Sequence, residues 1–338
     1  MTARHQQIEI PLVVARRLEH HQHTVACRCG RVHTALRPAG VPAAPVSLGV
    51  SLQAWCVYLL VVHAISVHRV AELVASLTGA EPSPGFVHSL IGRAAAAVAV
   101  ANARIRMLLT LTYVVCCDET PIRVGPKKAK KYLLVACDRL LTWPILDGRN
   151  LETFKRFVLA DLTGVVVHDR YQNYDAAELG ARDHQLCAAH LLRDLEDCAD
   201  TYPDARWPRQ LQTALRGLIP AANLAREQGK DAIAAGTPAM FRGGVAVGLS
   251  QVKRLPGPAK TVTQPIGRVL LEVLRDRAGD VLRFAHDLRI PPTNNKAERD
   301  LRPASRRSPA GSARTRPPSS ATPYAATCTP HSNTASTS

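Results

Sequence analysis

The spacing of hydrophobic residues divides the chain into a helical first third and a strand-rich middle. From Ser47 to Leu109 apolar residues recur every three or four positions, which predicts helices. Breaks at Ala64–Ser66 and at Gly79 separate two short helices from a longer third one. Short helices joined by tight turns are compatible with a helix-turn-helix, so a helical, helix-turn-helix-like region is predicted over residues 47–109.

Beyond residue 109 the pattern changes to short continuous apolar runs, which predict buried strands. The first three runs leave little room for helices between them and predict a meander. Strands are predicted at 111–118, 131–138, 141–146, 164–169 and 184–188, and helices at 150–159, 190–198 and 293–302. Residues 200–290 read as mainly helical, with a Gly/Pro-rich break at 236–258. This order predicts an α/β domain over 110–303 with a helical insertion at about 200–290.

Composition narrows the class of protein. The 338 residues are about two domains' worth of chain, and a hydrophobic content of 46% excludes a wholly disordered protein. The longest apolar run, 52–65, is shorter than the ~20 residues of a membrane span, and the first residues lack the features of a signal peptide. Nine cysteines, several in apolar runs, favour reduced buried thiols. We therefore expect a soluble, cytoplasmic protein without a membrane partner.

The last 35 residues, 304–338, differ in composition from the rest of the chain. Ser, Thr, Ala and Pro supply 26 of them, whereas Leu, Ile, Val, Phe and the acidic residues are absent. A segment of this kind cannot bury a core, so a disordered, low-complexity tail is predicted. The abrupt switch favours a frame-shifted end over a natural tail or linker.

Charge adds a hint about the partner. The net charge of +16 favours a polyanion, with nucleic acid ahead of a membrane surface. Residues 118–199 carry 12 basic and 13 acidic side chains, whereas 1–117 and 200–303 carry net charges of +6 and +7. Carboxylates concentrated between basic segments are the contrast expected of an enzyme that holds divalent metal ions while it binds DNA.

Three carboxylates are candidates for that metal site. Asp118 and Asp169 end apolar strands, and Glu298 lies on the last predicted helix. Widely spaced carboxylates can hold two Mg²⁺ ions for phosphoryl transfer, with water and phosphate as the other ligands. Structural roles are the alternative: Asp118 could cap its strand, Asp169 could shape the following turn, and Glu298 could complete a capping box begun by Asn295.

Four motifs in order carry a family resemblance: CDET (117–120), VVVHDRYQNY (165–174), CAAHLLRDL (187–195) and NNKAERDLR (294–302). Together they resemble the insertion sequence 66 family of transposases. The resemblance implies a ribonuclease-H-like mixed-sheet core, an Asp118–Asp169–Glu298 triad that binds Mg²⁺ or Mn²⁺, and a homo-oligomer acting on transposon ends and target DNA beside the bacterial nucleoid. It also suggests a chain truncated at its N-terminus, beginning with a zinc-finger-like segment over residues 1–46.

Two Cys/His groups could bind zinc. Cys27, Cys29, His20 and His23, with His21 and His33 nearby, include enough ligands for one Zn²⁺, although a solvent-facing polar loop explains them equally well. Cys187 and His190 supply only half of a tetrahedral site. The family resemblance places this pair near the catalytic sheet, where positioning a strand and helix or touching DNA is expected.

Basic side chains complete the candidate site. Lys127, Lys128, Lys130 and Lys131 lie between the first two predicted strands of the sheet, in a solubilising turn or in contact with DNA phosphates. Arg299 and Arg302 share a helix with Glu298 and could hold the DNA backbone. The expected function is metal-dependent cleavage at transposon ends followed by 3′-hydroxyl attack on target DNA. The alternatives are a catalytically inactive remnant that only binds DNA and a zinc hydrolase that uses Cys187 and His190.

Overall fold

Two compact units make up the protein in the computed structural model, with the boundary between Ala97 and Val98. The structure describes residues 5–9, 13–125, 129–180, 182–234, 236–257 and 262–306. The predicted tail at 304–338 therefore lies outside the described residues except for its first three positions.

The first unit contains a two-stranded antiparallel hairpin and a set of helices. These elements are β1 (Thr24–Ala26), β2 (Val32–Thr34), α1 (Val50–Val61), α2 (Val67–Thr78) and the first half of α3 (Pro84–Thr110). Its core consists of Cys56, Val70, Ala71, Val74, Val87 and Leu90. Gly79 ends α2 with a φ of +70°, a left-handed conformation that suits glycine at a helix C-terminus. The three helices agree closely with the predicted bounds.

The long helix α3 is apolar over a long stretch, a feature that was not predicted from the sequence. By length and composition it is the one described helix that could cross a membrane. The apolar run at 52–65 was compared with a membrane span instead, although α1, which contains most of that run, is shorter than α3. A single helix of this kind is weak support for a membrane span, because helices in the cores of other proteins pass the same test.

The second unit is built on a five-stranded mixed sheet in the order β5-β4-β3-β6-β7. β3 pairs antiparallel with β4 and parallel with β6, β4 pairs antiparallel with β5, and β6 pairs parallel with β7. In chain order its elements are β3 (Val114–Val124), β4 (Ala129–Cys137), β5 (Thr142–Asp147), α4 (Leu151–Arg156), β6 (Val165–His168), β7 (His184–Leu186), α5 (Ala188–Thr201), α6 (Trp207–Glu227), α7 (Gly236–Gln251), α8 (Ile266–Asp276), α9 (Ala278–His286) and α10 (Asn295–Arg306). All five predicted strands are present.

The two faces of the sheet bury different helices. Successive residues of a strand point to opposite faces. Cys116, Val135 and Val167 join a core with side chains from α5 to α10, and this side is called face A below. Val115, Leu134 and Val166 pack on the other side, face B, against Phe154 of α4 and its neighbours.

Two predicted features in this unit were wrong. The helix expected over 150–159 stops at Arg156, because Phe157, Val158 and Leu159 are all fully buried and three consecutive residues cannot share one helix face. The Gly/Pro-rich break expected at 236–258 is largely occupied by α7. Its glycines permit close packing: a Cβ on Gly244 would lie 2.9 Å from Leu211 Cδ2, and one on Gly248 would lie 2.6 Å from Leu271 Cδ2.

Candidate active site

Asp118 and Asp169 lie beside each other on face A. Asp118 is the fifth residue of β3 rather than its end, because Glu119 to Val124 continue in antiparallel pairing with β4. Asp169 directly follows β6. Continuing the parallel register past the Cys116–Val167 pair places Asp118 opposite Asp169. Asp118 is two residues beyond Cys116 on β3, so its carboxylate belongs to face A. Asp169, just past the end of β6, lies close enough to Asp118 and His190 for its charge to raise the pKa of both.

Glu298 reaches the same face from α10. This helix packs on β3 and β4, and its Ala297, Leu301 and Ala304 belong to the face A core. The backbone N–H of Glu298 donates to the carbonyl of Asn294 over 3.2 Å, which places Glu298 in the first turn. The sequence brings three distant carboxylates to one face of the sheet.

The electrostatics of Asp118 reflect this crowding. Its pKa is raised to about 7, chiefly because burial penalises the charged form and then because of the negative charge of Glu119. Asp169 and Glu298 raise the pKa further, whereas a hydrogen bond from the backbone of Glu119 lowers it. A bound cation would offset the burial of the carboxylate and the repulsion from its acidic neighbours, and carboxylate oxygens are the ligands that Mg²⁺ prefers.

Of the alternative structural roles of these carboxylates, the turn role of Asp169 is present in the structure and the capping box of Glu298 is not. Asp169 does shape its turn, because its Oδ1 accepts from the backbone N–H of Tyr171 over 2.8 Å. The capping box does not form, since Asn295 is already inside α10. The Glu298 carboxylate instead lies 3.3 Å from Arg193 Nη2 and 3.8 Å from His190 Nε2, both measured to Oε1.

The side chains of Cys187 and His190 face different partners, although the backbone N–H of His190 donates to the Cys187 carbonyl over 3.1 Å. Cys187 is buried between β7 and α5, and its Sγ accepts from the backbone N–H of Asn294 over 3.5 Å. Burial raises the pKa of its thiol, which disfavours the thiolate that zinc requires. His190 faces Glu298, and burial followed by the charge of Arg193 lowers its pKa. These contacts weaken the case for a zinc hydrolase built on the pair.

Sequence reasoning missed two sets of residues around the triad. Arg193 lies one helical turn after His190 and contacts Glu298. On face B, Glu119 accepts hydrogen bonds from Arg149, at 2.9 Å to Nε, and from Tyr174, at 2.7 Å. Glu119 and Tyr174 lie in the CDET (117–120) and VVVHDRYQNY (165–174) motifs, of which only Asp118 and Asp169 were predicted as site residues.

The N-terminal Cys/His cluster lies around the β1–β2 hairpin. Cys27 and Cys29 are exposed at its turn, and the pKa of Cys27 is lowered by hydrogen bonds from Cys29. His20, His21 and His23 precede β1, and His33 lies on β2. No three ligand atoms of this cluster come within 4.8 Å of one another in the residues the structure describes.

Of the predicted DNA-binding lysines, Lys127 and Lys128 lie outside the described residues. Lys130 and Lys131 were predicted between the strands but belong to β4, where they pair with Arg123 and Ile122 of β3 close to the hairpin turn. The Lys131 ammonium lies 3.4 Å from Asp147 Oδ1, and that of Lys130 lies 5.2 Å from the centre of the Tyr132 ring. Arg299 and Arg302 are exposed on α10.

A second group with metal-ligand character was also missed by sequence reasoning. Potential ligand atoms of His168, Asp175 and His184 all lie within 4.8 Å of one another, and the triad is not so compact. His168 Nε2 lies 3.0 Å from His184 Nδ1. Both nitrogens of the Arg277 fork donate to the Asp175 carboxylate, at 2.8 and 2.9 Å, so a cation already neutralises this acid. The group could hold a metal ion only in competition with Arg277.

Comparison with known proteins identifies one related family. Residues 45–313 match the family model described as "Transposase IS66 family". No curated protein matches the chain. The matched range includes the three carboxylates, Cys187, His190 and α10.

Proposed function

The chain belongs to the IS66 family of transposases, and from that membership and the face A carboxylates we propose that it cuts DNA at transposon ends and joins the freed end to target DNA. A transposase is a DNA-processing enzyme, so DNA is its partner. The proposal adds a mechanism: Asp118, Asp169 and Glu298 hold Mg²⁺ or Mn²⁺ for phosphoryl transfer.

The observation that carries the proposal is the convergence of the three carboxylates on face A. The register between β3 and β6 aligns Asp118 with Asp169, and α10 brings Glu298 to the same face. The pKa of Asp118 is raised chiefly by burial and by the charge of Glu119, and the two other acids of the triad lie near enough to raise it further. Among the described residues Asp118 forms no ion pair, which leaves its carboxylate available to a metal ion.

The chemistry follows from this donor set. Bound divalent ions would activate the attacking oxygen and stabilise the leaving oxygen of an in-line displacement at phosphorus. Hydrolysis and strand transfer need the same arrangement, since only the attacking oxygen differs. His190 and Arg193 neighbour Glu298 and would orient its carboxylate.

The same proposal covers the remaining expectations. The sheet order, with three antiparallel strands followed by two parallel ones, is compatible with a ribonuclease-H-like core over 110–303. We propose that residues 1–46 form a zinc-finger-like segment, that 47–109 contact DNA, and that homo-oligomers assemble on transposon ends beside the nucleoid. Arg299, Arg302 and the lysines after the β3–β4 hairpin would bind phosphates.

The test is cleavage of a plasmid that carries the terminal sequences of the element encoding the chain. Asp118→Asn, Asp169→Asn and Glu298→Gln should each reduce Mg²⁺-dependent cleavage about a thousandfold or more, because each removes a metal ligand. DNA binding in gel-shift assays should change little. Asp204→Asn, which alters an exposed acid before α6, is the matched control and should cleave normally.

Two outcomes would contradict the proposal in different ways. Normal cleavage by Asp118→Asn would exclude the triad. Binding of the ends by the unaltered chain without cleavage under any divalent ion would instead identify a catalytically inactive DNA-binding protein.

A further inference from the structure

Asn294, the residue before α10, is fully buried and connects three parts of the candidate active site. Its side-chain Nδ2 donates to the carbonyl of Cys117 over 3.1 Å. Its backbone N–H donates to Cys187 Sγ over 3.5 Å, and its carbonyl accepts from the N–H of Glu298 over 3.2 Å. Cys117 directly precedes Asp118, so the side-chain bond ends one residue from a proposed metal ligand.

These contacts differ from those of an ordinary helix cap. A capping asparagine uses its side-chain oxygen to accept a backbone N–H of the first turn. The Oδ1 atom of Asn294 is buried and has no hydrogen-bond partner among the described residues, while its amide nitrogen points to β3. A buried polar atom without a partner is costly, so stabilisation of the helix end does not by itself account for asparagine here.

We infer that Asn294 is a positioning residue that sets the place of Glu298 relative to Asp118. Its amide fixes the start of α10 against β3, and its carbonyl fixes the backbone of Glu298 one turn later. The inference rests on the proposed metal-binding role of the triad. It adds that the metal site depends on this amide, which supplies no ligand itself.

A second attachment of α10 shows why the Asn294 contact is distinct. Lys296 Nζ donates to Thr142 Oγ1 over 2.9 Å and to Asp300 Oδ2 over 2.8 Å, and the Thr142 hydroxyl also donates to Asp300. This cluster ties the helix to β5, two strands away from β3 in the sheet. The amide of Asn294 ties it to β3, the strand of Asp118 itself.

The test measures Mn²⁺ binding to the full chain by electron paramagnetic resonance, with thermal unfolding of each variant in parallel. Asn294→Ala removes the amide, and Asn294→Asp keeps its shape but replaces the donor with an oxygen. Asn295→Ala is the matched control, because Asn295 is adjacent and exposed. Glu298→Gln reports on the triad itself.

We expect both Asn294 variants to fold and to weaken Mn²⁺ binding about tenfold or more, as Glu298→Gln does, while Asn295→Ala binds normally. Normal Mn²⁺ binding by Glu298→Gln would contradict the proposed triad. A loss in Glu298→Gln without a loss in either Asn294 variant would overturn the positioning role alone. Failure of both Asn294 variants to fold would also overturn it, since the amide would then serve stability.

Discussion

At the scale of single residues, the alternation of a strand separates two adjacent acids with opposite roles. Asp118 and Glu119 are neighbours on β3 and face opposite sides of the sheet. Glu119 is compensated on face B by Arg149 and Tyr174. The pKa of Asp118 is raised first by burial and then by the charge of Glu119, with further contributions from Asp169 and Glu298. Burial and the charge of Asp169 raise the pKa of Glu119 too, but Tyr174 and Arg149 stabilise its charged form, whereas Asp118 forms no ion pair among the described residues.

This difference predicts opposite effects of two conservative substitutions on stability. Glu119→Gln should lower the free energy of unfolding by about 2–3 kcal/mol, because Arg149 would lose its buried charge partner. Asp118→Asn should leave stability unchanged or raise it by about 1 kcal/mol, since it removes an unpaired buried charge. Urea unfolding at pH 8 with EDTA measures both. A larger loss in Asp118→Asn than in Glu119→Gln would contradict this account.

At the scale of elements, strands were easier to predict than helix packing. Runs such as Val165–Val167 are buried on both faces, so their uninterrupted apolar character is visible in sequence. The continuation of β3 past Asp118 was missed because a polar pair interrupts the apolar run, and only pairing with β4 shows that the strand continues. The meeting of Glu298 with Asp118 depends on long-range packing and was inferred from the family resemblance, not from spacing.

The helix α7 was missed for a related reason. Glycine lowers helix propensity, so a glycine-rich stretch predicts a break when each residue is judged locally. The structure gives Gly244 and Gly248 a packing role instead, because they lie against Leu211 of α6 and Leu271 of α8. Close approach between helices is a tertiary property that a single sequence does not reveal.

Two glycines of α7 provide a matched test of this role. Gly248→Val should lower the free energy of unfolding by about 2–3 kcal/mol, because its Cβ would collide with the fully buried Leu271. Gly243→Val lies on the exposed side of the same helix, has no neighbour within 4 Å, and should change stability by less than about 0.5 kcal/mol. Equal effects in urea unfolding would show that α7 does not pack closely through Gly248.

At the scale of the whole molecule, the distribution of charge is consistent with a nuclease core flanked by DNA-binding segments. The segment 118–199 has a net charge of −1 and contains two of the three triad acids. The segment 200–303 has a net charge of +7, and it includes the exposed Arg299 and Arg302 beside Glu298. Phosphates attracted to these cations would be brought towards the carboxylates, where the proposed metal ion would offset the repulsion between like charges.

The lysines at the start of β4 test whether DNA phosphates also bind near the β3–β4 hairpin. If Lys130 and Lys131 contact phosphates, Lys130→Gln/Lys131→Gln should weaken binding to transposon-end DNA. It should also make the slope of log K against log salt shallower by about 1–2, because fewer counterions are released. Lys155→Gln is the control: α4 packs on face B, away from the triad, and Lys155 is paired with Glu152. Fluorescence anisotropy across a salt series measures both slopes, and an unchanged slope in the double variant would exclude the hairpin from the DNA contact.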